Sequence, residues 1–217
     1  IVDSDGSSPI SPAEATTVLK SITYNNSSDT PTTSPDRTFT ITANDGNTES
    51  VAVVSTITVS EANDPPAILD LDDRNSTYLI GSGTVLIDQS GVASVLDPEG
   101  NFDGVTTGTG GTLTVHFATG SSSNDTLAIQ NIGTGTGEIS ISGSDVLYEG
   151  TIIGSYTGGT AGTDLVFTFD SDASNAAVSA VINNLTYDYS GSVSGDRELE
   201  FTLVDDEGAS SNVASLV

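Results

Sequence analysis

The chain has 217 residues, and four basic side chains (Lys20, Arg37, Arg74, Arg197) face thirty acidic ones, a formal net charge of −26. That balance excludes nucleic acid, whose binding needs a Lys/Arg surface to neutralise phosphates, and it disfavours an anionic membrane surface for the same reason. With no Cys and a single His, disulfides and thiolate sites are excluded and structural zinc is disfavoured.

No apolar run reaches about 18 residues, so no membrane-spanning helix is predicted. The opening residues, IVDSDGSSP, lack the basic and apolar regions of a signal peptide and read as a window from a larger or processed protein. The acidity itself fits two readings: a solvated surface suited to salty surroundings, or carboxylates gathered for divalent cations.

In chain order, the first predicted element is a short helix. Ser11 caps it, Pro12 suits its first turn, and Glu14 completes a Ser-x-x-Glu capping box. Ala15, Val18 and Leu19 form its apolar stripe. A strand is expected over residues 21–24, then a polar loop, then an alternating strand through Phe39, Ile41 and Ala43. Asn44-Asp45-Gly46 turns the chain into a Val/Thr strand over residues 51–59. Glu61-Ala62-Asn63-Asp64-Pro65-Pro66 reads as a domain junction, because two prolines cannot donate to a strand ladder.

Past the junction come many short strands separated by Gly/Asn/Asp turns, at 67–71, 78–80, 84–87, 92–96, 113–117, 126–129, 138–142, 146–148, 152–156 and 164–169. A second helix over 174–182 precedes strands at 185–187, 199–204 and 212–217. The Gly/Thr runs at 106–111 and 133–137 are turns; as phosphate cradles they lack a following helix and a Lys. The fold class is all-β, an antiparallel β-sandwich.

The second helix region repeats the first. Leu19-Lys20-Ser21-Ile22-Thr23-Tyr24 corresponds to Ile182-Asn183-Asn184-Leu185-Thr186-Tyr187, Asp36-Arg37 to Asp196-Arg197, and Asp45 to Asp205. Asp3-Ser4-Asp5 and Asp170-Ser171-Asp172 stand upstream of the two copies. The expected organisation is therefore the C-terminal part of one repeat in residues 1–62 and a nearly complete second repeat in 63–217, each with one short helix.

Several pieces of this pattern resemble a known family: Asp97-Pro98-Glu99, Phe102-Asp103-Gly104, Gly110-Gly111-Thr112-Leu113-Thr114-Val115, Gly150-Thr151-Ile152-Ile153-Gly154, residues 165–170, Leu185-Thr186-Tyr187, Asp196-Arg197 and Asn63-Asp64-Pro65-Pro66. Together they resemble the cadherin-like (chondroitin-sulfate-proteoglycan-like) tandem repeats of giant bacterial adhesins and RTX-type surface proteins. The resemblance implies extracellular stalk modules at the bacterial cell surface, joined head to tail and often stiffened by Ca²⁺ at their junctions. It also implies that Asp97 and Glu99 form the strand-end acidic pair of such a site, with Asn63 and Asp64 as its linker ligands. The chain departs from the fuller junction motif of animal cadherins, which has a second Asn and a preceding Asp; here it is reduced to Glu61-Ala62-Asn63-Asp64.

The residues carry a calcium reading of their own. Asp97, Glu99, Asn101 and Asp103 alternate at a strand end, and calcium takes six to eight oxygens of this kind. Two such carboxylates about 4 Å apart without a cation repel by roughly 4 kcal/mol at an effective dielectric of 20; a bound ion reverses that sign. The candidate ligands are Asp97, Glu99, Asn101, Asp103, Asn63, Asp64 and Asp205. The competing reading makes these ordinary turn residues, and for Asp205-Asp206-Glu207 and the Asp170/Asp172 pair a turn or a helix N-terminus is the stronger reading. Arg37 and Arg197 each tie a loop to a strand, and His116 faces away from the apolar side of its strand.

The expected function is a structural, calcium-stabilised stalk module supporting cell adhesion, and not an enzyme. Two alternatives stand beside it: a filament subunit completed by strands of a neighbouring chain, and a calcium-dependent glycan- or peptide-binding module. The expected partners are neighbouring repeats or further copies, with any cell-surface or glycan ligand bound elsewhere in the full protein. Residues 1–62 hold only part of a repeat and are expected to need strands from another chain or from preceding sequence.

Overall fold

The computed structural model describes residues 11–45, 47–71, 77–100, 102 and 110–217. Asn101 and Asp103, two of the candidate ligands, lie outside the described residues. The chain divides into two compact units, Ile1–Ala62 and Asn63–Val217.

The second unit is an antiparallel β-sandwich with one helix. In chain order after α1 (Pro12–Lys20), β1 (Arg37–Ile41) and β2 (Val53–Ile57) of the first unit, it contains β3 (Ala67–Leu69), β4 (Val85–Leu86), β5 (Ser94–Leu96), β6 (Thr112–Thr119), β7 (Asp125–Ile129), β8 (Ile139–Ser142), β9 (Asp145–Tyr148), β10 (Thr151–Gly158), β11 (Leu165–Phe169), α2 (Asn175–Asn183), β12 (Leu185–Tyr189), β13 (Glu198–Val204) and β14 (Ala214–Leu216). One sheet runs β14-β13-β6-β11-β10-β9-β8, a second β4-β12-β7, and β3 pairs with β5.

The alternation read from the sequence sets the two faces. Along β6, Leu113, Val115 and Phe117 are buried while His116 is exposed, and β13 buries Leu199, Phe201 and Leu203 in the same rhythm. These side chains form one apolar cluster with Leu127 and Ile129 of β7, Leu185 of β12, and Ala177, Val178, Val181 and Ile182 of α2. Ser174 caps α2, accepting a hydrogen bond from the Ala177 amide at 3.2 Å. Gly154 shows where a side chain cannot be tolerated: its φ is +144°, β10 bulges between Ile152 and Gly154, and a Cβ there would come within 2.2 Å of the Thr168 carbonyl oxygen.

The expected strand over 78–80 is instead a turn. The Ser82 amide donates to the Leu79 carbonyl, Gly81 and Gly83 take positive φ, and Tyr78 is anchored through its hydroxyl to Asp188 at 2.8 Å. Several other strands are shorter than their apolar runs, as at β3, β4 and β14, where only two or three residues find a ladder partner.

The first unit contains α1 and the β1-β2 hairpin, and no described residue in it is buried. Its local chemistry follows the sequence closely. Ser11 and Glu14 form the reciprocal capping box, with the Ser11 amide donating to Glu14 at 2.8 Å. The strand expected over 21–24 is absent, and the reason is a missing partner. Its counterpart β12 is held between β7 and β4, whereas the only sheet the described residues of the first unit form is β1-β2.

The two hairpins share their hydrogen bonds position by position. Ser50 N–H donates to Ala43 O and Ala43 N–H to Ser50 Oγ; Ser211 N–H donates to Leu203 O and Leu203 N–H to Ser211 Oγ. Asp45 Oδ1 accepts from the Asn47 and Thr48 amides, as Asp205 Oδ1 does from the Ala209 amide. The two arginines agree as well: Arg37 donates to the Pro35 carbonyl and Arg197 to the Gly195 carbonyl, each two residues upstream.

Equivalent residues therefore sit in opposite environments. Ile182 is fully buried while Leu19, its counterpart in α1, is 48% exposed. Ile182→Ala is expected to destabilise the second unit by about 2–5 kcal/mol, whereas Leu19→Ala changes stability by no more than about 0.5 kcal/mol. Denaturant unfolding of the two variants checks this.

Candidate functional site

The candidate residues gather where the chain enters the second unit. β5 ends at Leu96 and delivers Asp97, only 2% exposed, into a tight turn. Asp97 Oδ1 accepts from the backbone amides of Glu99 at 3.0 Å and Gly100 at 2.9 Å, an arrangement natural to Asp before Pro in a turn. The N-terminal turn of α2 closes over it, with Asn175 Nδ2 donating to the Asp97 carbonyl at 2.8 Å. Below the turn, Phe102 is fully buried, meets Phe169 edge to face at 6.1 Å and accepts the Gly111 amide on its carbonyl. A Cβ on Gly111 would lie 2.8 Å from the Phe102 ring and 2.7 Å from the Val204 carbonyl, which explains the glycine that opens β6.

The linker residues reach two parts of this end. Asn63 Nδ2 donates to Asp205 Oδ2 at 2.9 Å, and the Asp64 amide donates to Glu99 Oε2 at 3.3 Å. Of the seven candidate ligands, then, the structure connects Asn63 with Asp205 and Asp64 with Glu99, with Asp97 next to Glu99 in the same turn. Asp205 is almost fully buried and also accepts the Ala209 amide within its hairpin. Glu99 Oε1 is buried without a hydrogen-bond partner among the described residues. Burial, together with the carboxylates of Asp64 and Asp97, pushes the Glu99 carboxyl above its ordinary value.

The donor set has the hard oxygen character calcium takes, and the uncompensated buried oxygen of Glu99 is chemistry that a cation would satisfy. Among the described residues, however, no group of three or more acidic or histidine side chains is already arranged to hold a metal ion. Asp97 and Asp205 are occupied by backbone amides of their own turns. The turn reading therefore accounts for part of what their spacing implied.

Two elements of this end were missed in the sequence. Asn175 sits one residue after a helix cap, a position that reads as solvent-facing until the Asp97 turn is placed over it. Asn212 holds the first strand of the unit: its Oδ1 accepts the Ile68 amide at 2.9 Å and its Nδ2 donates to the Ile68 carbonyl at 3.1 Å. A single side-chain amide thus does the work of one rung of a β-ladder, and only its place between Ser211 and β14 hints at it.

A second polar cluster is built around Asp125, which is fully buried at the start of β7. Its carboxylate accepts from Tyr187 Oη at 2.5 Å, Arg197 Nε at 3.0 Å, and Ser122 N and Oγ at 2.6 and 2.7 Å. Burial alone would raise its pKa, but the hydrogen bonds from Tyr187, Ser122 and Arg197 outweigh it and hold the carboxyl below its usual value. The same contact and its own burial push the Tyr187 phenol well up. The Arg197 guanidinium lies over the Tyr189 ring at 4.6 Å. Arginine at this position thus ties the loop to β7 and β12, which is the structural role its place in the sequence implied.

Beside this cluster an open groove of about 460 Å³ is lined by Tyr78, Tyr187, Tyr189 and Val193 among others. Its aromatic faces are committed: Tyr78 meets Tyr187 edge to face at 5.0 Å, and Arg197 covers Tyr189. His116 forms an exposed pair with Asp164 at 2.7 Å. No protein-family model, curated protein or solved structure matches this chain.

The Asp125 cluster has a clear pH signature. A carboxyl whose folded pKa is depressed stabilises the fold above its unfolded value, about 3.9 for Asp, and that stability is lost as pH falls through the folded value. Asp125→Asn is expected to lower stability at pH 7 and to flatten the loss that sets in as pH falls below about 4. Arg197→Met, which leaves the buried carboxylate unpaired, is expected to cost about 3–5 kcal/mol at neutral pH. Urea unfolding from pH 7 down through the acid range checks both.

Proposed function

We propose that this chain is a structural, calcium-stabilised stalk module of an extracellular bacterial adhesin or surface fibre, built of head-to-tail repeats and supporting cell adhesion. The observation that carries the reading is the tethering of Asn63 and Asp64, the first residues of the second unit, to Asp205 and Glu99. These contacts fix the first residues of the second unit against its own body, as a module stiffened at its entry requires. The position-by-position agreement of the two hairpins and the two arginine contacts supports the tandem-repeat part of the reading.

Calcium enters through the same residues. Asp97, Glu99, Asp64, Asn63 and Asp205 would hold it, and its charge would offset the burial and the neighbouring Asp64 and Asp97 carboxylates that now raise the cost of ionising Glu99. Asn101 and Asp103 stand just after Gly100 in the sequence. We assign no catalytic role: Asp88 and Asp97 accept hydrogen bonds from their own loops, and Asp125 from Ser122, Tyr187 and Arg197.

Thermal unfolding in millimolar calcium against chelator tests the proposal. At a hundred times its dissociation constant a ligand stabilises by about 2.7 kcal/mol, which for a unit of this size raises Tm by roughly 5–10 °C. In the absence of calcium, Glu99→Gln is expected to raise Tm at pH 7, because the variant keeps an acceptor for the Asp64 amide and removes a charge penalised by burial. The same variant should lose most of the calcium shift. A shift below about a degree for the parent chain sinks the calcium reading.

A further inference from the structure

The first unit leaves exposed a surface that its own counterpart in the chain buries. Val18 and Leu19 of α1 are 41% and 48% exposed, and Ile22 and Phe39 are 64% and 40% exposed. Their counterparts in the second unit, Val181, Ile182, Leu185 and Leu199, are exposed by 6% or less. One edge of β1 pairs with β2. The other edge has no strand beside it among the described residues. In the second unit β13 stands in the place of β1, with β14 on one edge and β6 on the other.

The counterpart also shows what fits there. β6 lies against β13 with Phe117 opposite Leu199, Val115 opposite Phe201 and Leu113 opposite Leu203. Transferred to the first unit, that register sets an alternating apolar strand against Phe39, Ile41 and Ala43. A second copy of this chain is a poor donor, because its β6 is hydrogen-bonded on both edges, by β13 and β11, with Leu113 and Val115 fully buried.

We propose that the exposed face of α1 and β1 is the docking surface for the N-terminal half of another repeat of this chain's own type. That half would carry a strand patterned like Thr112–Thr119 and lie ahead of α1 in the same polypeptide, as residues 63–170 lie ahead of α2. The inference rests on the tandem-repeat reading above and adds the partner that a partial repeat requires. Burying an apolar face and pairing an open strand edge are the same event here, so the occupant must offer both.

The test is amide hydrogen exchange at residues 38–42 in three chains: the chain as it stands, the chain with a copy of residues 64–167 fused ahead of Ile1, and the same fusion with L113D, V115D and F117D in the added copy only. The fused chain is expected to slow exchange in β1 at least tenfold, and the triple-Asp fusion is expected to exchange like the parent. No slowing in the first fusion, or equal slowing in both, overturns the proposal. Slowing in the unfused chain that grows with protein concentration also overturns it, by making a second copy the occupant. A failed calcium shift would sink the metal reading without touching these exchange rates, so the two failures are distinguishable.

Discussion

The structure depends on one strand. β6 is hydrogen-bonded along both edges, to β11 and to β13, and its inward side chains occupy the centre of the apolar cluster that α2, β7 and β12 also enter. Helix and strands of the C-terminal half have strong local signals, yet their packing energy comes from the facing half. The first unit shows what remains without it: a capped helix and a hairpin with correct turns, and no buried residue among those described. Local chemistry makes the elements; only β6 and its neighbours make them a core.

Polar groups are placed at the margins of that core with different purposes. The Asp125 cluster is fully compensated, with four donors on one carboxylate, and behaves as a fixed clamp. The end holding Asp97, Glu99 and Asp205 has burial and like charges without an equal number of donors at Glu99. On the proposed calcium reading a cation would relieve that end, whereas the Asp125 carboxylate already has its donors.

Much of the fold was legible because the signals were local. Alternation marked β6 and β13, a capping box at Ser11 and Glu14 marked the first helix and the repeat marked the second, and the double proline fell beside the division at residues 62–63. What escaped the sequence were features set by partners. The apolar run 21–24 matches β12 in composition, but a strand exists only where a neighbour supplies hydrogen bonds, so it forms in one copy and not in the other. The run at 78–80 became a turn because two glycines with positive φ follow it and a tyrosine hydroxyl holds it to Asp188. At the candidate site the sequence located the acids but could not say which were already taken by backbone amides. It gave no sign that Asn175 and Asn212 would brace the same end.

The Asn212 contact with Ile68 has a mechanical meaning. The second unit is entered beside Asp205, at the C-terminal end of β13, while β14 runs antiparallel to β13 and finishes opposite Leu199, near its N-terminal end. Seven residues of strand, about 20 Å, separate the two points. Tension applied between them acts along β13 and β14, so the rungs joining these two strands are loaded in shear, while the amide clamp holds β3 at the entry side. Bonds pulled in shear must yield together, whereas bonds pulled open from one end yield singly.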